Sequence, residues 1–250
     1  MSEATGDSWL PAPPRPALPR DQVHVWRASL RLPPWRVDEL GQWLSADELE
    51  RANRYRFQKD RDRFVASQGL LRCILGRYLE VEPQQLHFRH GPFGKPALVE
   101  TLAGDALSFN LSHSAGLALY VVARERRVGI DIEAIRSLPD APLVAEQFFS
   151  PHENMALAAL PADLREQAFF CCWTRKEAYL KARGEGLYLP LDQFEVSVAP
   201  GEPARLIKTL EGPGETERWS LRALCPGSGY AATVVVEGHG WDLKCWQWQE

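Results

Sequence analysis

Two periodicities organise the apolar positions along the chain. Leu164, Ala168, Cys171/Cys172, Ala178 and Tyr179/Leu180 recur at helical spacing, which predicts a helix from about Ala162 to Arg183. Lys181 and Arg183 fall in its last turn, where cations suit the negative end of the helix dipole, and Gly184 and Gly186 supply the stop. A second helical pattern runs from Phe64 to Leu79 and ends before Pro83. Ser45 followed by Glu48 opens another helix with a capping-box pattern. Ser150, Pro151 and Glu153 repeat that signature, with proline at the first helical position. Strand-like runs lie at Val23–Leu30, Leu86–Arg89, Leu117–Ala123, Val128–Glu133, Phe194–Val198, Arg218–Arg222 and Gly229–Val236. Residues 1–20 carry Pro11, Pro13, Pro14, Pro16 and Pro19 and read as an extended or disordered lead-in.

The order of these elements repeats. Phe64 to Leu79 followed by Leu86 to Ala123 is matched by Phe169 to Arg183 followed by Phe194 to Val236. The expected fold is therefore α+β, with two similar lobes joined near Arg124 to Val128. Each would be a small, mostly antiparallel sheet packed with a long helix, the pair related by a pseudo-two-fold. The expected boundaries are 1–20 for the lead-in, 21–125 for the first lobe and 126–250 for the second. The strand Val128–Glu133 would then lie at the seam, where ligand sites are common.

With 250 residues the chain is long enough for a substantial core. A net charge of −4 gives no reason to expect a nucleic-acid partner, and no apolar run is long enough to span a bilayer. The N-terminus lacks a basic region followed by an apolar core, so no signal peptide is expected. The five cysteines lack CxxC spacing. They read as reduced, mostly buried thiols in the cytoplasm, neither a disulfide framework nor a zinc site.

Several polar groups interrupt this pattern. On the strand Val128–Glu133, Asp131 and Glu133 share one face with Gly129. They are either ordinary outward carboxylates or a pair able to share a hard divalent cation. On the helix, Trp173, Glu177 and Lys181 form an i, i+4, i+8 stripe with Lys176 beside it. That stripe is either a solvated face or one that holds a metal-bound phosphate. Arg51, Arg54, Arg56, Lys59, Arg61 and Arg63 form a basic run, read as a helix face paired with Asp60 and Asp62 or as a phosphate-facing patch. Asn110, Ser112, His113 and Ser114 make a polar knot between apolar strands that can bind an anion. Gly91–Leu98 is a turn-rich loop, with Lys95 between Gly94 and Pro96.

Taken in order, Gly94-Lys-Pro96, Phe109-Asn-Leu-Ser-His-Ser114, Gly129-Ile-Asp-Ile-Glu133 and Trp173-x-x-Lys-Glu-x-x-x-Lys181 resemble the 4'-phosphopantetheinyl transferases, specifically their larger, monomeric surfactin-synthetase-activator type. The resemblance covers roughly residues 40 to 200. It implies transfer of the 4'-phosphopantetheine arm of coenzyme A to a serine of an apo acyl, peptidyl or aryl carrier protein. Adenosine 3',5'-bisphosphate would be released and Mg²⁺ required.

Residue by residue, the resemblance implies that Asp131, Glu133 and Glu177 are metal ligands. Lys181 would contact the coenzyme A phosphates and stabilise the departing phosphate, and Lys176 adds a second cation. Gly94, Lys95 and Pro96 would cradle the nucleotide, Ser112 and His113 would bind phosphate, and Arg51 and Arg63 would meet the 3'-phosphate. Glu153 would be the general base. Glu48 stands where some relatives carry lysine. A module that binds coenzyme A or carrier domains without catalysis is the alternative, but it would have no use for so many carboxylates.

Overall fold

The structure, a computed structural model, describes residues 7–91, 93–99, 107–184 and 189–249. Its first sheet contains β1 (Trp9–Pro11), β2 (Gln22–Ser29), β5 (Leu107–Ser114), β6 (Leu117–Arg124) and β12 (Asp242–Gln247), in the order β1-β12-β2-β6-β5. The second contains β7 (Val128–Ala134), β10 (Trp219–Leu224) and β11 (Tyr230–Glu237), in the order β10-β11-β7. Two small ribbons complete the strands: β3 (Phe88–His90) with β4 (Pro96–Leu98), and β8 (Phe194–Val196) with β9 (Leu206–Thr209). The helices are α1 (Pro34–Gly41), α2 (Ala46–Asn53), α3 (Gln58–Leu79), α4 (Ala141–Phe148), α5 (Pro151–Ala159), α6 (Ala162–Arg183) and α7 (Pro213–Arg218).

Alternation along the strands builds the layers. Val23, Val25, Leu119, Val121, Ile130, Ile132, Val234 and Val236 form a core shared by the two sheets. The alternate residues Trp26, Tyr120 and Val122 pack with α3 in one outer core, while Ala231 and Val235 pack with α6 in another. The result is two lobes, each a sheet backed by a helix of 22 residues, as the repeated order predicts. Both helices end on a left-handed residue, Glu80 (φ 54°) and Gly184 (φ 72°). Gly186, expected to help stop α6, lies outside the described residues.

Three expectations change. Residues 7–20 of the lead-in are placed against the protein: Leu18 is buried, and Trp9–Pro11 pairs in parallel with Cys245–Gln247. The lobes exchange chain, because β12 inserts between β1 and β2 in the sheet of the first lobe. Asn110 to Ser114 lie within β5, paired with β6 across a tight turn at Ala115 (φ 50°) and Gly116 (φ 91°).

The buried ion pair Glu153–Lys176 changes two further assignments. Both side chains have 0% exposure. Glu153 Oε2 accepts from Ser150 N–H (2.8 Å) and Lys176 Nζ (2.7 Å), and Oε1 accepts from Val196 N–H (2.8 Å). Lys176 Nζ also donates to Leu191 O (2.7 Å) and Phe194 O (2.6 Å). The pair ties α5, α6 and β8 together. Glu153 is thus a completed helix cap and ion-pair partner rather than a base facing substrate, and Lys176 is a core tether rather than a phosphate-facing cation.

Helix α6 touches β7 directly at Gly129. A Cβ there would collide with Ala178 O and Ala182 N and lie 2.9 Å from Ala182 Cα. These are backbone atoms and cannot swing aside. Gly129→Ala should therefore cost more than the roughly 1–3 kcal/mol of ordinary overpacking, read by urea unfolding. A loss below 1 kcal/mol would contradict the packing.

Inside the first lobe, His24 Nδ1 accepts from Tyr78 Oη–H (2.8 Å), which accepts from Trp26 Nε1–H (2.7 Å), and His24 Nε2–H donates to Gln22 Oε1 (3.2 Å). With a neutral imidazole in this tautomer, the Tyr78 hydroxyl proton and both ring nitrogens have partners. Burial first, then the Lys244 charge, lower the His24 pKa from 6.5 to about 4. In unfolded chains His24 protonates near pH 6.5, while in the fold it stays neutral. Stability is therefore lost as pH falls from 6.5 toward 4, by about 2 kcal/mol between pH 7.5 and 5. His24→Gln should remove that part of the pH dependence in paired unfolding curves; an unchanged difference would refute the assignment.

Candidate active site at the lobe seam

The two lobes meet along β5 and β7 through side chains. Three alternate residues of β5 reach across. Asn110 Oδ1 accepts from Ile130 N–H (2.9 Å), and Ser112 Oγ–H donates to Asp131 Oδ1 (2.8 Å). Ser114 Oγ–H donates to Glu133 Oε2 (2.8 Å), and its oxygen accepts from Ala134 N–H (3.1 Å). Period-two alternation aims Asn110, Ser112 and Ser114 at one neighbour.

Helix α6 closes the seam from the other side. With Ala178 and Ala182 against Gly129, Lys181 Nζ reaches Asp131 Oδ1 (2.6 Å) and Ser112 Oγ (3.1 Å). Asp131 Oδ2 is buried and has no hydrogen-bond partner among the described residues. Glu177 has no hydrogen-bond or ion-pair partner among the described residues. Burial, then the Asp131 charge, raise its pKa, with Glu133 adding and Lys181 opposing. Burial also raises the pKa of Glu133, which the bond from Ser114 partly offsets. Three carboxylates thus lie within electrostatic reach of one another and of the Lys181 ammonium.

Among the described residues, no three of His, Cys, Asp and Glu stand together as a ligand set for a metal ion. The expected trio Asp131, Glu133 and Glu177 is brought to one seam, but Lys181 occupies the near side of Asp131. The donors nevertheless suit a hard cation. They are carboxylate oxygens, one of them orphaned in the interior, with two pKa values raised in part by mutual repulsion.

A cleft of about 1170 Å³ opens from the seam into the first lobe. Arg51, Gly94, Pro96, Ser112, His113 and Lys181 line it, which gathers six of the expected substrate-binding residues. Arg51 stacks over Phe64 at 5.3 Å from the ring centroid. Although His113 is exposed, desolvation by the surrounding protein, then Lys181 and Arg63, lower its pKa. Arg63 lies outside the lining and pairs with Asp60 (3.8 Å). Glu48 does line the cleft, but its Oε2 accepts from Arg72 Nε (3.0 Å) and Nη2 (2.7 Å), so its charge is compensated. Lys95 turns its ammonium away from the cleft. It donates to Val128 O (2.8 Å) and Lys181 O (2.6 Å).

Sequence reasoning missed the cleft residues Tyr55, Gln68, Phe88 and His90, which tertiary packing alone brings together. It also undervalued Asn110 and Ser114, whose spacing around Ser112 was a usable signal. All five cysteines are free. Cys172 and Cys245 are buried, Cys73 and Cys171 partly so, and Cys225 is exposed, fewer buried than expected. No helix of the described residues is long and apolar enough to cross a membrane.

Two family models match in tandem. One, described as the 4'-phosphopantetheinyl transferase superfamily, covers residues 127–235, and the other, described as 4'-phosphopantetheinyl transferase, N-terminal, covers residues 34–126. The chain is 44% identical over 241 residues to the 4'-phosphopantetheinyl transferase HetI of Nostoc sp., an alignment spanning 96% of this chain and 98% of that protein. It is 31% identical over 154 residues to the 4'-phosphopantetheinyl transferase Sfp of Bacillus subtilis, spanning 62% and 66%. A holo-[acyl-carrier-protein] synthase of Thermotoga maritima aligns with 44% of this chain and 62% of its own, at 20% identity and a TM-score of 0.34. The chain belongs to the 4'-phosphopantetheinyl transferase superfamily.

Proposed function

We propose that the protein transfers the 4'-phosphopantetheine arm of coenzyme A to a serine of an apo acyl, peptidyl or aryl carrier protein, releasing adenosine 3',5'-bisphosphate. Family membership supports the reaction class. The observation that carries the residue roles is the seam, where Asp131 and Lys181 meet Ser112 at the edge of the cleft and Glu177 lies within electrostatic reach of Asp131 and Lys181. Both halves of this site lie in one chain, which suits a monomer. The five free thiols suit a reducing cytoplasm.

The cleft would take the nucleotide, with Arg51 toward the 3'-phosphate and Gly94 and Pro96 along its wall. Ser112, His113 and Lys181 would meet the pyrophosphate. Asp131, Glu133 and Glu177 would hold Mg²⁺, which when bound supplies charge neutralisation for the phosphate oxygens. Lys181 is held against Asp131 and has no other partner than Ser112 among the described residues, so it can turn to a phosphate oxygen without leaving the seam.

The bond formed joins the carrier serine oxygen to the β-phosphorus, and the bond broken joins that phosphorus to the bridging oxygen. The leaving adenosine 3',5'-bisphosphate takes the electron pair, with Lys181 offsetting its charge. The serine proton goes to Glu177, directly or through a water. Glu177 takes this role from Glu153 because it faces the seam without a partner, whereas every oxygen of Glu153 is engaged in the core.

Intact-mass spectrometry tests the reaction. An apo carrier incubated with the protein, coenzyme A and Mg²⁺ should gain one phosphopantetheine, and EDTA or loss of the carrier serine should abolish the gain. No gain across several unrelated carriers would refute the activity. Asp131→Asn and Glu177→Gln should each lower turnover by at least about a hundredfold in folded protein; near-normal turnover in either would remove that residue from the chemistry. Glu153→Gln should instead lower stability by about 3 kcal/mol and leave turnover per folded molecule within a few-fold of wild type. A folded Glu153→Gln protein without turnover would restore Glu153 as the base.

A further inference from the structure

The loop Gly91–Pro96 presents Gly94 and Pro96 to the cleft, but Lys95 between them points elsewhere. Its stem crosses the seam and packs at Gly184, where an added Cβ would lie 3.4 Å from Lys95 Cδ. Its ammonium ends on two carbonyls of the second lobe, Val128 O at 2.8 Å and Lys181 O at 2.6 Å. Val128 opens the strand that carries Asp131. Lys181 is the residue whose own ammonium holds Asp131. Its carbonyl lies in the last turn of α6, where carbonyls lack helical partners and a cation is favoured. One side chain of the first lobe thus grips both second-lobe elements that build the site.

We propose that Lys95 is a positioning residue for the transfer reaction: it clamps the lobes so that β7 and the end of α6 meet β5 in register, and it does not ligate the nucleotide. The proposal rests on the functional reading above. Burial, then the Arg127 charge, lower the Lys95 pKa to about 8, so the ammonium is held at a desolvation cost that a solvated phosphate contact would not require. The side chain also walls a cavity of about 250 Å³ that reaches Asn110, Glu177 and Lys181. Without it the loop would lose its anchor beside the carboxylates.

Lys95→Met keeps the stem and deletes the ammonium. Calorimetry should give a Kd for adenosine 3',5'-bisphosphate within about twofold of wild type, while kcat for carrier modification falls at least about tenfold with little change in KM for coenzyme A. Lys95→Cys treated with 2-bromoethylamine, which rebuilds an ammonium of similar reach, should recover most of kcat, with identically treated wild type as the control for native thiols. A tenfold rise in the bisphosphate Kd with kcat unchanged would overturn the clamp in favour of direct nucleotide contact. Unchanged kcat and Kd would overturn any role. Amide hydrogen exchange supplies an activity-independent reading: protection at residues 181–184 should fall at least about tenfold in Lys95→Met. Unaltered protection overturns the clamp even if wild type transfers nothing to any carrier, the outcome that would instead sink the functional reading. Should Lys95→Met fail to fold, Lys95→Gln carries the same measurements.

Discussion

The contact between α6 and Gly129 is the constraint on which the seam depends. With no side chain at residue 129, the helix backbone lies on the strand backbone at Ala178 and Ala182. Two periodicities then decide what else meets. The strand repeats every two residues, so the face-mates of Gly129 are Asp131 and Glu133. The helix turns about every 3.6 residues, so Glu177 and Lys181 flank the alanine contact. A larger residue at any of the three contact positions would lift the helix and draw Lys181 off Asp131, now at 2.6 Å.

That closeness creates an electrostatic problem which β5 moderates. Asp131 repels Glu133 and Glu177 in a partly buried setting, and burial further disfavours the charged forms of those two glutamates. Ser112 and Ser114 each donate a hydroxyl to one carboxylate, Lys181 pairs directly with Asp131, and Arg136 adds a second positive charge toward Glu133. Hydroxyl donors hold the carboxylates in place without neutralising them and can rotate toward another acceptor. Asp131 Oδ2 remains without a hydrogen-bond partner among the described residues, a cost of about 1–3 kcal/mol that a ligand at the seam would relieve.

Most of the fold was legible because local rules and tertiary packing agree. The predicted bounds of α6 match the observed Ala162–Arg183, and the capping boxes at Ser45 and Ser150 are both formed. Of the residues singled out in the sequence, Arg51 from the basic run and Gly94, Pro96, Ser112, His113 and Lys181 from the motifs line one cleft. What sequence could not show was side-chain destination across the lobes. Lys95 sits in a glycine- and proline-flanked loop that looks solvent-facing, yet its four-carbon stem reaches carbonyls 33 and 86 positions away. Strand β12 joins the first sheet by parallel pairing, which leaves no local signature.

The two lysines of α6 show how rotation about one helix separates roles that a motif presents together. Lys176 and Glu177 are adjacent in sequence, so their side chains diverge by about 100° around the axis. Lys176 enters the core, where Glu153 and two carbonyls take its three protons. Glu177 turns to the seam. Lys181, one turn beyond Glu177, returns to the same side and meets Asp131. Trp173, one turn before, has already rotated into an aromatic cluster with Phe148, Phe149 and Phe169. The tryptophan, Lys176 and Glu153 therefore hold α6 from its buried side, while Lys181 lines the cleft and Glu177 the smaller cavity beside Lys95. A helix pinned on one side and touching bare strand backbone on the other has little freedom to roll, and such restraint fixes reacting groups to within the tolerances that transfer chemistry requires.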